Sequence, residues 1–297
     1  MNRNANSQTK RRPPEWWLTL PSFGWMTLFF LVPSALIFLI AFRPALPNGG
    51  IDDGWSLAAV KSLFDPSYPL VIWRTIWLSF LCTALCLGIG VPVAYYIARL
   101  RPNKRRWVLL LIILPFWSNF LIRILAWQTL LHSEGPVKQL LEFLRIMDPQ
   151  TTLLYNVWVV LTVLVYTELP FAILPIYAAA EKFDFGLLDA ARDLGATQFR
   201  AFWTVFLPGI KRGLLTALLV VLIPAFGTYA ITDLVGGTQA EMIGNVIARR
   251  VLSDKNYPQA SALSAALCLV ILTPMLIALF TQRQNQRKQD KNGGAAK

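Results

Sequence analysis

The chain has 297 residues, a formal net charge of +12, 55% hydrophobic residues and only 15% charged ones, against roughly 25% charged in an ordinary soluble domain. That balance excludes a water-soluble globular protein and indicates an all-α integral membrane protein. The positive charge does not demand nucleic acid, because the basic residues flank apolar runs, where anionic lipid headgroups hold them, and no aromatic platform is interleaved with them.

Residues 1–22 form a polar or mixed tail in which Trp16 and Trp17 fit an interfacial anchor. The apolar run that follows, 23–42, exceeds the roughly 7 to 15 residues of a signal-peptide core and is expected to be a retained helix. Further runs lie at 70–98, 107–131, 153–177, 214–234 and 261–281, each long enough for the about 20 helical residues that cross a bilayer. Six spanning helices over residues 23–281 are therefore expected, with a short tail at 282–297. Pro33, Pro115 and Pro224 lie inside runs, and Pro170 and Pro175 share one. Buried in a bundle, such helices kink rather than break, either for packing or to shape a pathway. Cys82, Cys86 and Cys268 all sit in apolar runs, with no further ligand-type residues near the first two, so packing is the expected role.

Basic residues gather on cytoplasmic flanks of membrane proteins. With both termini cytoplasmic, nineteen Lys and Arg fall inside and six outside, the inside set including Arg99, Arg101, Lys104, Arg105 and Arg106. This sorting puts segment 178–213 in the cytoplasm. It is too polar for lipid yet patterned as two short amphipathic helices. Leu187, Leu188, Ala191, Leu194 and Gly195 share one face, opposite Asp189, Arg192 and Asp193, while Phe199, Phe202, Trp203 and Phe206 recur at i, i+3, i+4, i+7. Gly195-Ala196 supplies the bend between them. One apolar face covers the bundle's end; the other fits a partner's groove, with aromatic anchors, rather than a helix lying flat on the membrane, which would carry more lysine.

Asp189-Ala190-Ala191, three residues, Gly195, nine residues, Val205, one residue, Leu207-Pro208 resembles the cytoplasmic "EAA" loop of ABC-importer permeases, with Asp for the usual Glu and Val for the usual Ile. With the helix count and orientation, the chain resembles the MetI-like permease superfamily, and within it most nearly the spermidine/putrescine permeases. Four stretches carry that finer likeness: Leu114-Pro115-Phe116-Trp117 with Arg123, Ala126-Trp127 and Gly135; Leu169-Pro170-Phe171-Ala172-Ile173-Leu174-Pro175; Ile223-Pro224-Ala225-Phe226-Gly227; and Leu234-Val235-Gly236-Gly237 with Met242-Ile243-Gly244. The resemblance implies a MetI-like core formed by the last five helices, with cytoplasmic coupling helices. It implies a bacterial inner-membrane subunit that works with a dimer of cytoplasmic ABC ATPases, a second permease, identical or paralogous, and an extracytoplasmic substrate-binding protein. Asp189, Ala190, Ala191, Gly195, Phe199, Phe202, Trp203, Leu207 and Pro208 would engage the ATPase.

No G-x-x-x-x-G-K-[ST] phosphate loop occurs. ATP and Mg are expected on the partner ATPase and no cofactor on this chain; the lone His132 has no recognised catalytic companions, so no enzymatic site is assigned. The costliest residue is Glu168, an acid deep in a spanning run. Pro170 frees the carbonyl of Tyr166 and Pro175 that of Phe171, so acceptors gather beside the acid. These residues, with Asp233 near the outer end of the fifth run, are the candidate pathway for a cationic cargo; a structural or protonated Glu168 is the alternative. At 1.5 Å per residue, straight helices would place Arg123 about 12 Å and Glu168 about 22 Å deep, which separates them and leaves Arg123 to hold helix ends or loop carbonyls. Glu241 is expected in a solvated loop. Related permeases for iron, phosphonate, thiamine or opines, and an ion-coupled secondary transporter, are the competing readings.

Overall fold

A computed structural model describes residues 16–273 except 67, 147, 149 and 150. The basic residues of the two tails and residues 274–281 of the last predicted span lie outside the described residues. The described residues fall into two compact units, one from 16–63 and 254–273 and the other from 64–253. The described residues are helical, with one isolated bridge between Ala45 and Ile51.

In the first unit, α1 (Thr19–Ile40) is long and apolar enough to cross a membrane, and none of its most apolar window is buried. It passes through a π turn, Thr27–Leu31, just before Pro33. A proline cannot donate to the carbonyl four residues back, and a π turn absorbs the mismatch without ending the helix.

The second unit begins with α2 (Tyr68–Ala98), 31 residues long. Arg101 leaves it in extended geometry and Pro102 opens α3 (Pro102–Ile113), which tightens into a 3-10 turn at Leu114–Trp117 around Pro115. Ser118 is extended, and Asn119 accepts the Leu121 N–H at 2.8 Å to start α4 (Phe120–Leu131). The third predicted span is consequently not straight: its two halves meet at 88°. A side-chain cap satisfies an orphan N–H of a new helix, so the chain turns here without exposing unpaired backbone.

After α5 (Pro136–Phe143), Asn156 caps α6 (Val157–Glu181), accepting the Trp158 N–H at 3.0 Å, and α6 runs unbroken through Pro170 and Pro175. Two short helices follow, α7 (Gly186–Asp193) and α8 (Gln198–Gly209), before a 73° turn into α9 (Lys211–Gly227). The fifth predicted span also departs from a single helix: beyond Pro224, α9 ends at Gly227, Thr228 is extended, and Thr232–Gly236 form a separate π turn. Last in this unit is α10 (Ile243–Leu252).

Helices α2, α6 and α9 pack on one another in all three pairings. Helices α6 and α9 approach closely at Gly213, where a Cβ would lie 2.4 Å from the Ala179 Cβ and 2.9 Å from the Pro175 oxygen, so only glycine fits. Leu78, Cys82, Cys86, Val163, Leu164 and Val221 are fully buried in the core, and the two cysteines are free thiols within it.

Residues 254–273 return to the first unit. There α11 (Tyr257–Thr273) is apolar but shorter than a full span, and it contributes Ala262 to a small cluster with Ala41 and Ala59. Gln259 donates to the Ser62 hydroxyl at 3.2 Å.

Candidate functional site

The segment 178–213 folds as its pattern predicts, into α7 and α8. Gly195 turns between them at φ +89° with open space around it, a backbone geometry that side chains with a Cβ resist. Thr197 caps α8 by accepting the Arg200 N–H at 3.3 Å.

The aromatic stripe divides. Phe206 is fully buried, with ring centroids 4.9 Å from Tyr95, 5.2 Å from Phe183 and 5.3 Å from Phe202. Phe199 and Trp203 remain 74% and 51% exposed. A π turn over Phe202–Phe206 changes the pitch between these positions, so they do not form one face. Along α7, Leu188 is buried whereas Leu187 and Leu194 are exposed. Asp189 and Ala190 are exposed, Ala191 is half-buried, and Arg192 pairs with Asp189 at 3.6 Å. Leu207 is half-buried and Pro208 exposed.

Phe199, Trp203 and Leu207 also border an apolar groove of about 680 Å³ against α2 and α9. Arg99 fastens the same end of the unit, donating to the Tyr95 hydroxyl at 2.7 Å. Arg105 joins the start of α3 to the end of α6 through Glu181 at 2.9 Å. This pair is partly exposed and contributes at most about 1 kcal/mol.

A second cavity, of about 500 Å³, opens where the third span bends. Its wall includes Phe116, Ser118 and Arg123 on one side and Glu168, Pro170 and Phe171 on the other. Arg123 and Glu168 form no ion pair, as the depth count expected, yet both line this one cavity, because the third span is not the straight helix that the count assumed but bends by 88°. Nor does Arg123 hold loop carbonyls. Its guanidinium lies 4.3 Å from the Phe116 ring centre, while its Nε and Nη1 are buried without a hydrogen-bond partner, as is Glu168 Oε2. Phe116 in turn meets Phe171 edge-on at 5.3 Å.

The other two pathway candidates stand apart from this lining. Tyr166 packs against Trp127 at 5.4 Å, and Asp233 is exposed on the π turn beyond α9.

A buried polar cluster that the sequence analysis did not single out ties the region around α10 to α2. Asn245 accepts from the Thr232 hydroxyl at 2.5 Å and the Met242 N–H at 3.2 Å, and donates to the Tyr229 oxygen at 3.2 Å. Thr75 on α2 accepts the Ile243 N–H at 2.9 Å. Glu241 is not a solvated loop residue: it is half-buried and pairs with Arg249 at 2.5 Å, because α10 folds back over it.

Residues 90–291 match the family model described as "Binding-protein-dependent transport system inner membrane component". The chain belongs to this family. Across 258 residues it is 36% identical to the spermidine/putrescine transport system permease protein PotB of Haemophilus influenzae, covering 87% of this chain and 90% of the relative. The corresponding Escherichia coli K12 protein is 33% identical over 265 residues, covering 89% and 96%.

Among solved structures, a bacterial ABC transporter involved in the import of the acidic polysaccharide alginate aligns with a TM-score of 0.70 at 20% identity, over 91% of this chain and 96% of the other. At that identity the likeness concerns the fold. A second structure, of the alginate transporter in complex with a pentasaccharide-bound periplasmic protein, aligns with a TM-score of 0.68 at 18% identity, over 91% and 95%. The chain is a multi-pass inner-membrane permease subunit of an ABC importer, a transport component and not an enzyme. Membership in the family implies an ATPase and a substrate-binding protein as partners.

Proposed function

We propose that the cargo is a polyamine, spermidine or putrescine, carried through a pathway in which the Glu168 carboxylate meets an ammonium group. The observation that carries this reading is the buried, unpartnered Glu168 oxygen facing a cavity rimmed by Phe116 and Phe171. A carboxylate held away from water favours a cation that supplies hydrogen bonds, and aromatic faces add to that attraction. Similarity to PotB over nearly the whole chain supports the same cargo. Of the pathway set, Glu168 and Phe171 would touch cargo, while Tyr166 braces the wall through Trp127 and Asp233 lies on the approach.

The assembly in this reading has six spans, both termini in the cytoplasm, tails at 1–22 and 282–297, and a transmembrane domain over 23–281. A second permease, identical or paralogous, completes the pathway among membrane lipids, and no nucleic acid is bound. Segment 178–213 docks on the cytoplasmic ATPase dimer, where ATP and Mg reside, and this chain carries no cofactor. Exposed Leu194, Phe199 and Trp203 around the Gly195 corner are the anchors, within the docking set of Asp189, Ala190, Ala191, Gly195, Phe199, Phe202, Trp203, Leu207 and Pro208. Closure of the ATPases would move this segment and, with it, α6 and α9, alternating access to the cavity.

The test is reconstitution with the ATPase, second permease and binding protein, measuring ATP-dependent uptake of labelled spermidine and putrescine against a panel of anions and metal ions. Polyamine uptake that falls in Glu168→Gln is expected. Uptake of another solute in place of polyamines overturns the cargo. Coupled transport at the normal rate in Gly195→Asp overturns the docking role.

A further inference from the structure

Arg123 and Glu168 are the only charged residues among those lining the cavity at the bend. No ion pair joins them, and each holds buried polar atoms with no hydrogen-bond partner. A structural arginine in a membrane bundle is held by carbonyls or carboxylates. This one is instead seated on a ring, its guanidinium 4.3 Å from the centre of Phe116. The seat attracts a cation through the ring face yet fills none of the guanidinium's donor positions. Across the same cavity, Glu168 Oε2 needs a donor.

Arginine keeps its charge in any surroundings and stacks flat on aromatics, and its long stem lets the head move between a ring and a nearby acid. Ser118 and Asn119 lie between Phe116 and the start of α4, so the seat and its occupant stand on opposite sides of the 88° bend. A change in that angle alters the distance between them.

We infer that Arg123 is a tethered competitor for the Glu168 carboxylate. The guanidinium and an ammonium group of the cargo contend for one acid, and the Phe116 ring holds the arginine aside while cargo occupies it. Arg123 is then a specificity-determining residue: it sets how strongly a cation must bind before it is accepted, and it returns to neutralise Glu168 once the cargo leaves. This inference rests on the proposal that Glu168 meets the cargo.

The experiment titrates labelled spermidine onto the detergent-solubilised complete assembly of permease and ATPase chains, with co-elution on size exclusion as the check that each variant assembles. Removing the competitor in Arg123→Gln tightens the apparent Kd, by about tenfold for the loss of one competing charge contact near 1.4 kcal/mol. Removing the seat in Phe116→Leu weakens binding more when Arg123 is present than in an Arg123→Gln background, because only the freed arginine can then rest on Glu168. Without the acid there is nothing to contend for, so Arg123→Gln has no effect in a Glu168→Gln background.

Loss of spermidine binding in Glu168→Gln together with unchanged or weaker binding in Arg123→Gln refutes the competitor and leaves the cargo contact standing. Unchanged binding in Glu168→Gln refutes both. If Arg123→Gln does not co-elute with the ATPase, Arg123→Met decides, since it keeps the stem and removes the charge: tighter binding supports the competitor, and unchanged or weaker binding overturns it.

Discussion

Replacing Phe206 by alanine separates the two sides of α8 in one measurement. The ring is fully buried among Tyr95, Phe183 and Phe202, with Phe185 stacked at 6.2 Å. Deleting a phenyl group from a packed core costs about 3–5 kcal/mol, and part of that is the lost ring-to-ring contact. At about 2–4 °C per kcal/mol for a unit of this size, the melting temperature should fall by about 10 °C. Phe199→Ala and Trp203→Ala remove side chains that are mostly exposed, and their stability cost should stay within about 0.5 kcal/mol. Those two variants should lose ATPase association instead. The assay heats the detergent-solubilised permease in steps and follows the surviving monodisperse peak on size exclusion, with ATPase co-purification read in parallel. A Phe206→Ala shift below about 2 °C, or a Phe199→Ala shift as large as that of Phe206→Ala, would refute the division of α8 into an inner and an outer edge.

Three further outcomes follow from the packing. Gly213→Val should force α9 from α6, since its Cβ would start 2.4 Å from that of Ala179; a loss of about 3 kcal/mol or more should appear as early melting or failed membrane accumulation. Asn245→Ala strands the Met242 N–H, while the Thr232 hydroxyl keeps the Tyr229 oxygen as its acceptor, so a loss of about 1–3 kcal/mol is expected in the same heating assay. By contrast, a double-mutant cycle on Arg105 and Glu181 should give a coupling below about 1 kcal/mol, because both side chains remain in contact with solvent.

The long helices were legible because hydropathy reads length directly: α2 and α6 fall close to their predicted runs. The corner at Gly195 was legible because turn residues announce themselves in polar sequence. The same chemistry is hard to see inside an apolar run. Ser118 and Asn119 are the cap that turns the third span, yet they interrupt its hydropathy too briefly to divide it. Missing that bend hid the cavity that Arg123 shares with Glu168, since depth counted along a straight rod has no meaning once the rod is folded at 88°. The π turns at Thr27–Leu31 and Phe202–Phe206 carry no composition of their own, so the division of the aromatic stripe could not be read from spacing. Asn245 and Thr75 gave a weak signal, as polar residues in places where water is scarce, but their partners come from separate elements and only the fold joins them.

The ring cluster around Phe206 also has a mechanical consequence. Tyr95 belongs to α2, Phe183 and Phe185 follow the end of α6, and Phe202 and Phe206 belong to α8. Interlocked rings transmit strain because a packed interior compresses little. A load on the outer edge of α8 is therefore not absorbed as loop bending; it becomes torque on α2 and α6. With 31 residues, α2 is a rigid arm about 46 Å long at 1.5 Å per residue. Moving its loaded end sideways while its far end is pinned through Thr75 to the Ile243 N–H swings the middle of the arm, and the core packed on it, about that hydrogen bond as a pivot.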